Sequence, residues 1–154
     1  MTLSRTLAVF FFSWLALTGV GCSKPLTTEQ QVIAVIREME TRIEDGERRP
    51  FMNHVADDFS AQGGQVNRDD LNGLVVYQLN KYQRLSAQLF PIRVIETGET
   101  LATARFRALV TGGARWLPEN GQIYQFETEW SKASGEWMLV EANWTPVPLE
   151  DIID

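Results

Sequence analysis

Apolar side chains recur at helical spacing soon after the start of the polar part of the chain. Val32, Ile36, Met39 and Ile43 fall on one stripe, widened by Ile33 and Val35. Thr28-Glu29-Gln30-Gln31 precedes the stripe and reads as a capping box, with Thr28 as N-cap and Gln31 reaching back. Gly46 supplies the stop. Pro50 opens a short second helix through Phe51, Met52 and Val55, which ends near Asp57-Asp58-Phe59. Ala61 to Gln65 is a turn-rich connector with room for one short strand. Asn67 is a good N-cap for a third helix, and Asp69 and Asp70 suit its positive end. Leu71, Leu74, Val75, Gln78, Leu79 and Tyr82 form one face of that helix, which runs to about Arg84.

The period then changes from 3.6 to 2. Leu89, Ile92, Val94 and Ile95 predict a strand before a turn at Glu96-Thr97-Gly98-Glu99. From Leu101 to Thr111, Ala102, Ala104, Phe106 and Ala108 share one face, and Arg105 and Arg107 the other. A loop with Gly112-Gly113, Pro118 and Gly121 follows. Gln122 to Lys132 is a strand with Tyr124, Phe126 and Trp130 on one face. Ser134-Gly135 turns the chain into a last strand, Trp137 to Trp144, which Pro146 and Pro148 end. Residues 147–154 form a short acidic tail. Three helices followed by four strands predict an α+β domain over residues 28–146, with the helices packed on one face of a strongly curved antiparallel sheet.

The first 21 residues have a different character. Arg5 is followed by Leu7 to Val20, a run without charge. It is too short to span a bilayer, which takes roughly 20 residues, and it suits a signal-peptide core. Gly19-Val20-Gly21-Cys22 resembles a bacterial lipobox, although Gly19 stands where that pattern usually has Leu. The expected reading is a signal peptide over 1–21, lipidation of Cys22 with palmitate among the acyl chains, and a tether over 22–27. The alternative is an ordinary secreted protein with a chance cysteine. Acyl chains contribute about 0.8 kcal/mol per buried methylene, so a multiply acylated Cys22 anchors the chain to a membrane. Ser23 follows the cysteine in place of Asp, which by resemblance to enterobacterial sorting favours the outer membrane, facing the periplasm. Ser23 to Thr27 reaches at most about 17 Å.

Charge and composition narrow the function. The chain has 154 residues, and its net charge of −6 becomes −7 once the single charge of Arg5 is removed. An acidic domain repels phosphate backbones, so no nucleic-acid partner is expected. One cysteine excludes an internal disulfide, and one histidine, His54, leaves no zinc site of the usual nitrogen and sulfur kinds. The scattered acids have no metal spacing. Gly63-Gly64 and Gly112-Gly113 are turn glycines, since neither lies between a strand and a helix with a lysine. No metal and no cofactor is expected.

Several segments together resemble the nuclear transport factor 2-like superfamily: Ile43-Glu44-Asp45-Gly46, His54-Val55-Ala56-Asp57-Asp58-Phe59, Ala102-Thr103-Ala104-Arg105-Phe106 and Gly135-Glu136-Trp137-Met138-Leu139-Val140, with Trp130 and Trp144. The likeness extends to a group of small proteobacterial lipoproteins without assigned roles. It implies a cone-shaped, cystatin-like domain with a pocket between the concave sheet and the helices. Phe106, Tyr124, Phe126, Trp130 and Trp144 are the candidate lining, with Tyr77 or Tyr82 from the third helix. Such a pocket suits an apolar small molecule. The plainer alternative is that these aromatics only fill the core.

The superfamily hosts isomerases, dehydratases, cyclases, adaptors and non-catalytic modules. Asp58 and Asp57 are the candidate general bases for a small lyase or isomerase, and His54 lies four residues before Asp58, a spacing that shares a helix face. The alternative for that pair is a contact at a helix end. Glu127, Glu129 and Glu141 read as a solvated acidic face. The resemblance also implies pairing through the exposed sheet face, as a homodimer or with an envelope protein. The expected function is an envelope lipoprotein with a non-catalytic ligand-binding or protein-interaction domain, and the enzyme is the alternative.

Overall fold

The computed structural model describes residues 24–82, 84–113 and 120–148. The signal segment, Cys22, Pro118 and most of the acidic tail lie outside the described residues.

The chain runs α1 (Thr28–Glu44), α2 (Arg48–Met52), β1 (Val55–Ala61), β2 (Val66–Asn67), α3 (Arg68–Lys81), β3 (Arg84–Leu89), β4 (Arg93–Gly98), β5 (Leu101–Gly113), β6 (Asn120–Ala133) and β7 (Glu136–Pro146). Among the described residues it is an α+β fold with three helices on a curled sheet. The seven strands are ordered β2-β1-β7-β6-β5-β3, with β4 also paired to β5. Every pairing is antiparallel except β1 with β7, which is parallel.

Several elements differ from the expectation. The N-cap of α1 is Thr27, not Thr28: Thr27 Oγ1 accepts from the Gln30 N–H at 3.2 Å, and Gln30 Oε1 accepts from the Thr27 N–H at 3.0 Å. Gln31 is thereby free for the tertiary structure, where its Oε1 accepts from Lys132 Nζ and Trp137 Nε1. The short helix α2 ends at Met52, so Val55, Asp57, Asp58 and Phe59 lie on a strand. That strand and β2 stand between α2 and α3, so the helices do not all precede the sheet. Helix α3 stops at Lys81. The single strand expected around Leu89–Ile95 is two, broken at Phe90-Pro91-Ile92, because Pro91 has no N–H for the ladder. Gly112 and Gly113 continue β5 and do not begin a loop.

Other features match the expectation. Asn67 caps α3 in a reciprocal box with Asp70. The turn at Ser134-Gly135 has positive φ at both residues, which matches the right-handed twist of a two-residue hairpin.

The core gathers Val32, Ile36 and Met39 of α1 against Phe59, Ala102, Ala104, Trp130, Leu139 and Ala142 of the sheet. Among the described residues, every member of this core cluster lies between Val32 and Ala142, and every strand pairing lies between Val55 and Pro146. A chain starting at Lys24 keeps all of these residues. On the concave face, small side chains of β5 meet large ones of β6: Ala102 pairs with Trp130 and Ala108 with Tyr124. Ala102, Ala104 and Ala108, either side of Phe106, leave space on this face that larger aliphatic side chains would fill.

Carboxylates of α1 hold the outer edge of β3. Glu44 Oε1 accepts from the Ala87 N–H at 2.9 Å and from Ser86 Oγ at 2.6 Å, and Glu40 Oε1 accepts from the Leu89 N–H at 3.3 Å. These bonds satisfy edge N–H groups that would otherwise be open to another strand.

Candidate functional site: an apolar cone

Two adjoining spaces open between the concave sheet and the helices. The inner chamber has a volume of about 190 Å³. Its walls come from every layer: Met39 and Ile43 of α1, Phe59 of β1, Leu71 of α3, Ala108 of β5 and Trp130 of β6 are among them. The second space, of about 550 Å³, is the mouth. Ile43, Phe51, Leu71, Val110, Phe126 and Trp144 line both. Leu74, Gln78, Tyr82, Gly112, Gln122 and Tyr124 line the mouth alone.

An aromatic wall joins them. Phe106 and Phe126 stack at 5.2 Å between centroids, and Phe126 is tilted against Trp144 at 6.4 Å and Tyr124 at 6.3 Å. Phe106 lines only the inner chamber and Tyr124 only the mouth, so the wall spans the whole depth.

The inner surface is apolar almost throughout. Its two polar lining residues have partners inside the protein. Trp130 Nε1 donates to Thr128 Oγ1 at 2.9 Å, and that hydroxyl donates to the Ala104 carbonyl at 3.1 Å. Glu40 turns its carboxylate to Arg37 Nη1 at 2.9 Å and to the Leu89 N–H. The indole and the hydroxyl form a buried, satisfied chain, whereas the partly exposed Glu40 carboxylate keeps accepting capacity beyond its two donors.

The expected aromatics divide. Phe106, Phe126, Trp130 and Trp144 line the inner chamber, and Tyr124 lines the mouth. Trp130 is only 2% exposed, so it is both wall and core. Tyr77 lines neither space; it is 58% exposed on the outer side of α3, and Tyr82 takes the position at the mouth. Sequence reading missed Phe51, Phe59, Met39 and Leu71 as wall residues, since they sit in elements whose apolar pattern reads simply as core.

The candidate carboxylates are elsewhere. Asp57 and Asp58 are both exposed on β1, and neither lines either space. The Asp57 side chain is fully exposed, with Oδ1 3.7 Å from Arg68 Nε. His54 lies in the turn after α2 and shares no helix with Asp58, which corrects the expected pairing. Its Nε2 is 3.7 Å from Glu38 Oε1. Hydrogen bonding to Arg42, with help from His54, holds the Glu38 carboxyl below its ordinary range. This cluster lies on the surface and not in the cone.

The outer face of the sheet is charged. Arg105 pairs with Glu127 through two hydrogen bonds of 3.0 and 3.1 Å, and Arg107 and Glu129 are exposed beside them. Among the described residues no group of three or more His, Cys, Asp or Glu is placed to hold a metal ion. No helix of the described residues is long and apolar enough to cross a membrane.

These features define an α+β fold with a curled sheet, and solved structures described as NTF2-like or cystatin-like share it. The chain is similar to Bd1075 of Bdellovibrio bacteriovorus at TM-score 0.68 and 10% identity, over 78% of this chain and 41% of that one. This chain therefore spans less than half the length of that protein. It is similar to a Novosphingobium aromaticivorans protein whose name carries a provisional scytalone dehydratase assignment, at TM-score 0.66 and 13% identity, over 77% of this chain and 83% of that one. A Pseudomonas putida NTF2-like protein of unknown function matches at TM-score 0.66 and 16% identity, over 80% and 89%. Identities this low establish the fold alone. No protein-family profile matches the sequence, and no curated protein matches it.

Proposed function

We propose that this protein is a lipid-anchored envelope protein whose single domain is a non-catalytic binder of an apolar small molecule. The observation that carries the binding part is the inner chamber: it opens through a mouth, its surface is apolar, and its Thr128 hydroxyl, Trp130 indole and Glu40 carboxylate each have a partner within the protein. Dry apolar cavities of this size take up benzene-sized guests, and drug-sized ligands need the added volume of a mouth. A general base must reach the proton it abstracts. The exposure of Asp57 and Asp58 outside the cone therefore favours binding over the lyase or isomerase alternative. The charged outer sheet favours a ligand in the cone over a partner on that face, since the centres of protein interfaces are depleted in charge.

Residues 24–154 are expected to bind phenylnaphthylamine, a neutral apolar dye, with an increase in its fluorescence and a stoichiometry of one. Ala108→Phe, which fills the inner chamber, removes that signal while the circular dichroism spectrum is kept. Unchanged dye binding in a folded Ala108→Phe variant contradicts the reading.

The anchoring part rests on the uncharged Leu7–Val20 run and Cys22. The proposed location is the periplasmic face of the outer membrane. Labelling with an alkyne palmitate is expected in the intact chain and absent from Cys22→Ser.

A further inference from the structure

The two spaces of the cone differ in chemistry, and the difference specifies what fits. The inner chamber exposes almost no polar surface. The mouth adds polar surface to apolar walls, and its polar lining residues are Gln78, Tyr82, Gln122 and Tyr124. These are amides and phenols. They carry no charge at neutral pH, and they both donate and accept hydrogen bonds. Among the described residues, no Lys, Arg, Asp or Glu lines the mouth. Lys81 stands over the Tyr82 ring, 5.0 Å from its centroid, and lies outside the lining set.

We infer that the cone takes an uncharged amphiphile end-on. An aromatic ring or a short aliphatic group fills the inner chamber, and a hydrogen-bonding head without charge stays at the mouth. This inference rests on the binding function proposed above and names the class of ligand for that site. Three physical arguments support it. The inner volume, about 190 Å³, is in the range of a single ring, since a cavity of roughly 150 Å³ binds benzene. The aromatic wall of Phe106, Phe126, Trp144 and Tyr124 runs from one chamber to the other, so a flat group entering at the mouth has a continuous face to slide along. A charged head would lose its hydration at the mouth and meet, among the described lining residues, amides and phenols in place of a counter-ion, which is a poor exchange. An anionic head faces the acidic balance of the whole chain besides.

The test is a calorimetric comparison of three probes on residues 24–154: para-propylphenol, propylbenzene and para-propylbenzoate. They share an apolar part and differ in the head. The expected order is phenol tightest, then propylbenzene, with the benzoate at least about tenfold weaker than the phenol. Tyr124→Phe is expected to reduce the advantage of the phenol over propylbenzene. Benzoate binding as tight as the phenol overturns the uncharged head. An undiminished advantage of the phenol in folded Tyr124→Phe overturns the division of labour between chamber and mouth. If none of the three binds while phenylnaphthylamine still does, the ligand class is wrong and the cone remains a binding site. If the dye fails too, the proposed function falls with it.

Discussion

The closed end of the cone and its mouth are built on opposite principles. At the closed end, Val32, Val55, Ala104 and Trp130 are at most 2% exposed, and the indole N–H, the Thr128 hydroxyl and a strand carbonyl form a satisfied chain. At the mouth, helix α3 buries one residue of its own, Val75, leaves Val76 and Tyr77 exposed on the outside, and sets the half-exposed Leu74 in the mouth. Its firm attachments are at its N-terminus. There Arg68 donates to the Val55 and Met52 carbonyls, Asn67 closes the capping box, and Arg48 bonds Asn72. Dense packing fixes the fold at one end, and sparse packing leaves room at the other. Regions with few buried contacts are the ones that open most easily, which is where a ligand must enter.

Substitutions that act on one end and not the other test this contrast. Trp130→Ala has the largest expected effect. It empties the closed end and leaves the Thr128 hydroxyl without its indole donor, at a cost of about 3–5 kcal/mol. Urea unfolding of residues 24–154 reads this directly. A loss of less than about 1 kcal/mol would mean that the closed end is not the keystone.

Gly112→Ala comes next and acts at the mouth. The Tyr82 ring lies so close over Gly112 that an added Cβ would meet ring carbons at 2.6–2.7 Å. The ring must move, so the expected result is an altered dye affinity, by about three- to tenfold, with a stability change below about 1.5 kcal/mol. Equal affinity in the variant would separate Tyr82 from the ligand path.

The smallest effect belongs to neither end. Hydrogen bonding to Arg105 holds the Glu127 carboxyl below its ordinary value and raises the Arg105 guanidinium. A carboxyl lowered in the folded state stabilises the fold above its unfolded pKa, and that contribution is lost as pH falls through the folded value. Glu127→Gln should therefore flatten the acid side of the stability profile slightly and leave neutral-pH dye binding unchanged. Both side chains are about half exposed, so salt should weaken the effect.

Local chemistry was legible in the sequence and long-range pairing was not. The Asn67 cap, the Gly46 stop, the Ser134-Gly135 hairpin and the alternation of Tyr124, Phe126 and Trp130 all follow from a few neighbouring residues, and the structure has each of them. The pattern of strand β1 on its own reads as the end of a helix. Its register on β7 shifts between Val55 and Ser60, so Asp57 and Asp58 are both exposed and the strict alternation of a strand is broken. Its partner is some eighty residues away in the sequence and runs parallel, which no short window reveals. The same misreading placed His54 and Asp58 on one helix and made them a candidate pair. The aromatic half of the pocket was visible from the period of β6, whereas Phe51 and Phe59 become walls only when α2 and β1 are packed.

The central claim is that the cone holds a small apolar molecule, and native mass spectrometry of residues 24–154, purified gently from the periplasm, tests it most directly. The account predicts one small adduct per chain, which denaturation releases and Ala108→Phe removes. A bare protein, with an Ala108→Phe variant of identical spectrum, would contradict it.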